Sequence, residues 1–592
     1  MMIVTLAVAP VVLTTLAIGL LGVAAMRTTS DFLVASRRVS PLLNSAAVSG
    51  EYLSAASFLG VAGLMVRDGV GALWYPVGFT AGYIAMLALV AAPMRRSGAL
   101  TVPDFAEARL GSVTLRRLAA VVVLVISVLY LVPQFRTAGL VLSVVSGTPY
   151  WVGVILSGLA VSITLALGGM RAATYVQAFQ FVLKLVLFIV PAAWLVAQVG
   201  PEVRQEALHP VEFTHFEAQT PVSFRISATL EVPEGVRVVD DDGGVSEIPP
   251  GEWHVPAGAT VVFAQGSAAP VLEGSTAPGG PGWERPLLDL GTPEHPLLAT
   301  WAVLLATMLG TMGLPHVIMR FHTSPDGRAA RRTAALTVAL LGVFYIFPGI
   351  YGTLGRVLVP HLYLSGATDS AVVALPAQVD PGPLGGVFTG LLTAGAFAAF
   401  LATSLGLLLV VAGAISHDLV PGGLRQLRMT VVGAAIVVLL LALPAVSFDA
   451  STLVTWGFTV AASTFCPLLV LGIWWSRLTA GGAIAGVTVG LLASCGGFAL
   501  GIADPPVPGW VSILLIQPAP WSVPLAFATM IVVSLFGRPQ PWATAAMLRL
   551  HLHEHRRSPF ADRSALARDL GHSSWSARRS SAVRRITRRL VR

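Results

Sequence analysis

Three stretches of this chain put small or polar residues where bulky aliphatic side chains would be expected. In residues 393–420, TAGAFAAFLATSLGLLLVVAGAISHDLV, Ala399, Ala402, Thr403 and Gly406 fall three and four apart on one helical stripe. Lipid tails are already satisfied by Leu and Val, so such a stripe faces protein, water or an ion. The string NSAAVSGEYLSAASFLGVAG brings Gly50, Glu51, Ser54 and Ser57 into an otherwise apolar segment, and MLGTMGLPHVIMRF brings Gly310, Thr311, Gly313, Pro315 and His316 into another. Hydroxyls and freed backbone carbonyls are hard neutral oxygens that can replace water around a monovalent cation. The amide groups at the start of a half-helix suit an anion. Gly and Pro are also common in membrane helices as packing or kink residues, so one interruption says little; two in corresponding positions say more.

Three ionisable residues share these apolar surroundings. Glu51 lies in the interrupted stretch, and Arg136 and Lys184, the chain's only lysine, each lie about ten residues inside a segment, roughly 15 Å deep at 1.5 Å per residue. Charge at such depth is costly and is paired or functional. Glu51 reads either as a proton acceptor supporting a cation or as a structural partner of an arginine. Arg136, in LVPQFRTAG, offers a guanidinium fork to a substrate carboxylate, or pairs structurally with Glu51. Lys184 reads as packing against the bundle or pairing elsewhere, not as a ligand, and His316 as a ligand or a helix cap.

The elements that must hold these residues are membrane helices. Of 592 residues 55% are hydrophobic and 11% charged, far from the roughly 25% charged of a soluble domain. Thirteen segments are long enough to span: 3–25, 42–66, 70–93, 118–146, 150–169, 174–198, 297–319, 333–358, 385–415, 429–445, 450–474, 480–502 and 519–536. No Lys or Arg precedes the first, which reads as a retained helix rather than a signal. Alternate short loops hold Arg37 and Arg38, Arg95 and Arg96, Arg171, Arg328, Arg425 and Arg477, which places them in the cytoplasm, the N-terminus outside and the C-terminus inside.

Two soluble pieces remain. Residues 199–296 carry fifteen of the twenty-nine acidic residues against four arginines, and SFRISATLEV, GVRVVDD and ATVVFAQG alternate between turn residues. A small β-rich or irregular external insert follows, with a disordered acidic loop as the alternative. The tail, 537–592, has thirteen arginines and three acids and is expected to lie on anionic inner-leaflet lipid rather than on nucleic acid. The net charge of +8 therefore reports topology. Cys466 and Cys495 suggest no disulfide framework.

The domain order is thus an N-terminal extra helix (1–30), a five-helix group (31–198), the acidic insert (199–296), a second five-helix group (297–474) entering from the opposite side, two C-terminal helices (475–536) and the tail (537–592). An all-α polytopic protein with an inverted repeat and matching broken helices is the geometry of a secondary transporter.

The strings GEYLSAASFLG, GGMRAATYVQ, GLPHVIMRFHT and AGAISHDL, in this order, resemble the sodium:solute symporter family, and within it the bacterial cation/acetate symporters. The resemblance covers most of residues 30–480 and implies a LeuT-like 5+5 core in a multi-pass bacterial cell (inner) membrane protein, no enzyme and no cofactor, with Na+ as coupling ion and H+ as the alternative. Carried over residue by residue, the family's sodium ligands fall on Gly50, Leu53, Ala399, Ala402 and Thr403. Ala402 stands where the family usually has Ser, and Gln177 where several members have Asp. The resemblance implies uptake of a short monocarboxylate such as acetate, propionate or pyruvate, with Ser54, Ser57, Arg136, Gly310, Thr311 and His316 as substrate contacts. Another small solute, such as proline, or a transporter-like sensor are the alternatives.

Overall fold

Within a bilayer every backbone polar group must find a partner in the protein, so a helix can break there only where side chains close the gap. The computed structural model describes residues 2–21, 28–224, 227–240, 242–273, 277–280, 282–288, 290, 294–447, 450–503, 505–538 and 541–552. Among the described residues ten helices are long and apolar enough to cross a membrane. The predicted segment 3–25 forms Met2–Leu21, whose apolar stretch is the shorter Ala7–Leu20. Segments 150–169 and 174–198 form one run, Tyr150–Gln198, interrupted at Gly169, where φ of 53° selects the residue without a Cβ.

Both interrupted helices are broken. The first runs Pro41–Tyr52, opens at Leu53 and Ser54, and resumes through a π-helical turn, Ala56–Gly60, into Val61–Asp68. The second runs Pro296–Gly313, turns extended at Leu314 (ψ 116°) and resumes as Pro315–His322. Proline has no N–H and disfavours the helical conformation of the residue before it, which accounts for the second break.

The stripe helix Pro383–Gly413 lies at the centre of the bundle. The apolar window of Pro383–Leu419 is 94% buried, against 22% for Leu424–Ala442, so the former meets protein on all sides and the latter faces lipid. It packs against Tyr150–Gln198, Val113–Ser146 and the first broken helix.

The insert is folded. Strands β1 (Thr220–Ser223), β2 (Ala228–Val232), β3 (Val236–Val239), β4 (Val245–Ile248), β5 (Gly251–Val255), β6 (Thr260–Phe263) and β7 (Val271–Leu272) form two antiparallel sheets, ordered β1-β6-β3-β4 and β5-β2-β7. Their alternation buries Val222, Leu230, Val232 and Phe263 in a small core with Phe216 and Phe224. The disordered-loop alternative therefore fails for the described strands. The insert is tied to helix ends: Val70 N donates to Trp283 O (2.9 Å), Trp74 Nε1 to Pro286 O (2.6 Å) and Tyr363 Oη to Pro270 O (2.5 Å). The described residues up to Leu550 form one compact unit; most of the tail expected to contact lipid, residues 553–592, lies outside the described residues.

Candidate functional site

Glycine sets how closely the first broken helix approaches its neighbours. A Cβ on Gly50 would strike the carbonyl of Gln177, and a Cβ on Gly406 would strike the carboxylate of Glu51. The small-residue stripe of Pro383–Gly413 thus admits the first broken helix, and Glu51 in particular.

The break itself is closed atom by atom. Opening the helix at Leu53 and Ser54 frees the carbonyls of Gly50, Glu51 and Leu53 and the amide of Ala55. Lys184 Nζ donates to Gly50 O (2.5 Å) and Leu53 O (2.8 Å). Thr403 Oγ1 donates to Glu51 O (2.6 Å), and Ala55 N donates to Gln134 Oε1 (2.9 Å). Of the two sequence readings of Lys184, packing or pairing, the second holds, and its partners are two predicted cation ligands.

Glu51 also finds its charge partner here. Arg320, in the second half of the other broken helix, donates from Nε to Glu51 Oε2 (2.6 Å), and both side chains are 1% exposed. Its remaining nitrogens reach Gln177 Oε1, Thr174 Oγ1 (2.9 Å) and Met170 Sδ (3.0 Å). Gln177 Nε2 in turn donates to Ala402 O (2.7 Å). One network therefore joins both broken helices, Tyr150–Gln198 and the stripe helix.

Glu51 thus has an arginine partner, as one reading of the sequence allowed, but it is Arg320 and not the alternative Arg136. Arg136 Nη1 lies 3.6 Å from Asp369 Oδ2, an acid in the short turn Thr368–Ser370 that the sequence reading did not weigh. Arg320 was also missed: it stands one residue beyond the predicted span 297–319, and an arginine so close to a broken helix was the available signal.

Of the five carried-over sodium ligands, the carbonyls of Gly50 and Leu53 are held by Lys184 Nζ, Ala399 is buried in the stripe helix, Ala402 supplies no hydroxyl, and the Thr403 hydroxyl points at Glu51 O. Those atoms do not form an open cage for a free cation in this conformation.

The expected substrate residues gather around the two breaks. Tyr130 Oη donates to Ser54 Oγ (3.3 Å), while the Tyr130 ring stacks on His316 with centroids 5.3 Å apart. Tyr52 Oη and Thr311 Oγ1 bond at 2.8 Å, joining the two broken helices, and Ser57 Oγ bonds Tyr345 Oη at 3.0 Å. Gly310 lets its helix approach the carbonyl of Phe458. His316 is buried and neither ring nitrogen has a hydrogen-bond partner. Arg136 is drawn toward Asp369 instead of into this group.

The geometry is that of a membrane transporter with paired broken helices. A model of the sodium:solute symporter family matches residues 32–226 and 292–490, well over half of the chain, and the chain belongs to that family. It is 28% identical over 526 residues to a protein described as the uncharacterized symporter YwcA of Bacillus subtilis (strain 168), covering 85% of this chain and 88% of that one. In fold it is similar to a Na+-coupled sialic acid symporter in a substrate-bound outward-open state (TM-score 0.64, 15% identity, 91% of this chain and 98% of the other). It also resembles MHP1, a nucleobase-cation-symport-1 family transporter in a closed conformation with bromovinylhydantoin bound (TM-score 0.50, 13% identity, 88% and 98%). The chain is thus a multi-pass membrane protein and a solute symporter rather than an enzyme, with Na+ as the coupling ion of its family and no cofactor implied. A bacterial cell membrane fits the bacterial relative.

Proposed function

We propose that this symporter carries a short monocarboxylate, such as acetate, propionate or pyruvate, into the cell. The observation that carries the proposal is the polar group between the two breaks, where His316, its two ring nitrogens unpartnered among the described residues, stacks on Tyr130, whose hydroxyl reaches Ser54. In an interior where most polar atoms are bonded, unspent hydrogen-bonding capacity at the junction of two half-helices favours a small polar ligand there. The N-terminal end of Pro315–His322 adds the positive end of a helix dipole, which suits a carboxylate.

In this reading the solute docks between Ser54, Ser57, Thr311 and His316, with Gly310 giving backbone room, while Arg136 stays with Asp369. Occupation then favours one arrangement of the two five-helix groups over the other. Transport requires only that the solute bind one arrangement better, since a ligand with equal affinity for both shifts nothing.

The test is uptake of radiolabelled acetate into proteoliposomes under an inward sodium gradient, with potassium replacing sodium at fixed pH in a parallel arm. Sodium-dependent concentrative uptake, competed by propionate and pyruvate but not by proline, is expected. Saturable binding without uptake transfers the chain to the sensor reading; uptake competed only by proline or a sugar sinks the monocarboxylate.

A further inference from the structure

The family's coupling ion and the chain's own residues disagree at one place. The carbonyls of Gly50 and Leu53 both accept from Lys184, whose side chain is completely buried. A lysine ammonium carries the charge of a sodium ion and three donors, so it meets two carbonyl oxygens much as a small monovalent cation does. The third helix-break carbonyl, that of Glu51, is held by the Thr403 hydroxyl. The position usually carrying a second hydroxyl is Ala402, and its own carbonyl is taken by Gln177. The charges facing this group from the neighbouring helices, Glu51 and Arg320, are spent on each other.

We infer that the locus between the first broken helix and the stripe helix belongs to Lys184, which acts as a tethered cation: it clamps the broken helix to Tyr150–Gln198, and free sodium does not bind there while the lysine is present. The loss of the hydroxyl at 402 follows, since a cation held through its own side chain needs fewer oxygens from the stripe helix. The sodium that drives the family's transport then engages this chain at a different set of atoms. The inference deepens the symporter reading on its ion side and makes no use of the solute.

The test is equilibrium binding of radioactive sodium to the purified full-length protein in detergent, which needs no transport. Failed acetate uptake would thus overturn the solute and leave this result standing. For the wild-type chain, Thr403→Ala and Ala402→Ser are expected to change sodium affinity less than twofold. In Lys184→Ala combined with Ala402→Ser, one additional saturable sodium site per chain is expected, lost again on adding Thr403→Ala. A monodisperse double variant that gains no site overturns the inference. So does wild-type sodium binding that Thr403→Ala abolishes or that Ala402→Ser tightens tenfold. If Lys184→Ala does not fold, Lys184→Met, which keeps the length of the side chain without its charge, takes its place, and the wild-type arm decides on its own.

Discussion

At the first break the carbonyls of Gly50 and Leu53 are closed off by Lys184 Nζ, whereas just past the second the His316 imidazole is buried with neither nitrogen partnered among the described residues. The packing on either side is alike. Gly50 meets the backbone carbonyl of Gln177, and Gly310 and Gly313 meet those of Phe458 and Ala461, so the first broken helix presses against Tyr150–Gln198 and the second against Ala450–Trp474. The difference lies in what that neighbouring helix carries. Tyr150–Gln198 brings Lys184 and Gln177 to its break, while Ala450–Trp474 contains no charged residue. Two broken helices can therefore share their backbone packing while one break is clamped by Lys184 and the other keeps spare hydrogen-bonding capacity. The first then favours rigidity and the second favours a ligand.

The largest way to break this contrast is through the buried pair that ties the two helices together. Arg320→Met leaves Glu51 charged, buried and without its partner, and should cost about 3–5 kcal/mol, read as a steep loss of monodisperse protein on heating in detergent. Arg320→Met with Glu51→Gln removes both charges and is expected to recover most of that loss. A double variant no better than the single would show that Arg320 matters through Thr174 and Gln177 instead.

Next in size is Gly406→Ala. Its methyl overlaps the Glu51 carboxylate, which Arg320 holds in place, so overpacking of about 2 kcal/mol is expected in the same heating assay. Gly433→Ala, in a lipid-facing helix with open space around its would-be Cβ, is the control and should be neutral or slightly stabilising. Equal effects at the two positions would mean that the stripe is not fitted to Glu51.

A smaller effect is expected from Thr403→Val, which keeps the side-chain shape and removes the donor to Glu51 O. The loss should be about 1 kcal/mol, the lower end for a buried acceptor left unpaired, with Thr403→Ser near wild type. A large loss in Thr403→Ser as well would assign the role to the methyl group and not the hydroxyl.

The places where sequence and structure part company have a common physical cause. Membrane helices, both breaks and the stripe are legible because Gly, Pro and Ser in an apolar run have few uses, and a 3.6-residue period puts Ala399, Ala402, Thr403 and Gly406 on one face. The strands of the insert are legible from alternation in the same way. Partners of long charged side chains are not. Lys184 and Gln177 lie seven residues apart on one helix, and only the close approach permitted by Gly50 brings both to the break. Arg136 and Arg320 were equally available to Glu51 by charge, and the choice is made by which helices touch. Asp369 sits in a short turn between helices, where period carries no information.

A change in free energy of similar size to that at Thr403 tests the second break most directly. A buried imidazole with no hydrogen-bond partner costs stability, and substituting Phe at this position keeps a ring for Tyr130 to stack on while removing both polar atoms. His316→Phe is therefore expected to stabilise the protein by about 1 kcal/mol, read as a rise in the temperature at which it loses its monodisperse form. If those nitrogens are kept for a solute, the same variant should raise the concentration for half-maximal uptake about tenfold, equivalent to about 1.4 kcal/mol. Opposite signs on stability and affinity are what a binding residue shows, because the polar atoms it leaves unpaired in the resting protein are those it spends on the ligand. A fall in both stability and uptake would instead make His316 a packing residue, and the contrast between the two breaks would reduce to Lys184 alone.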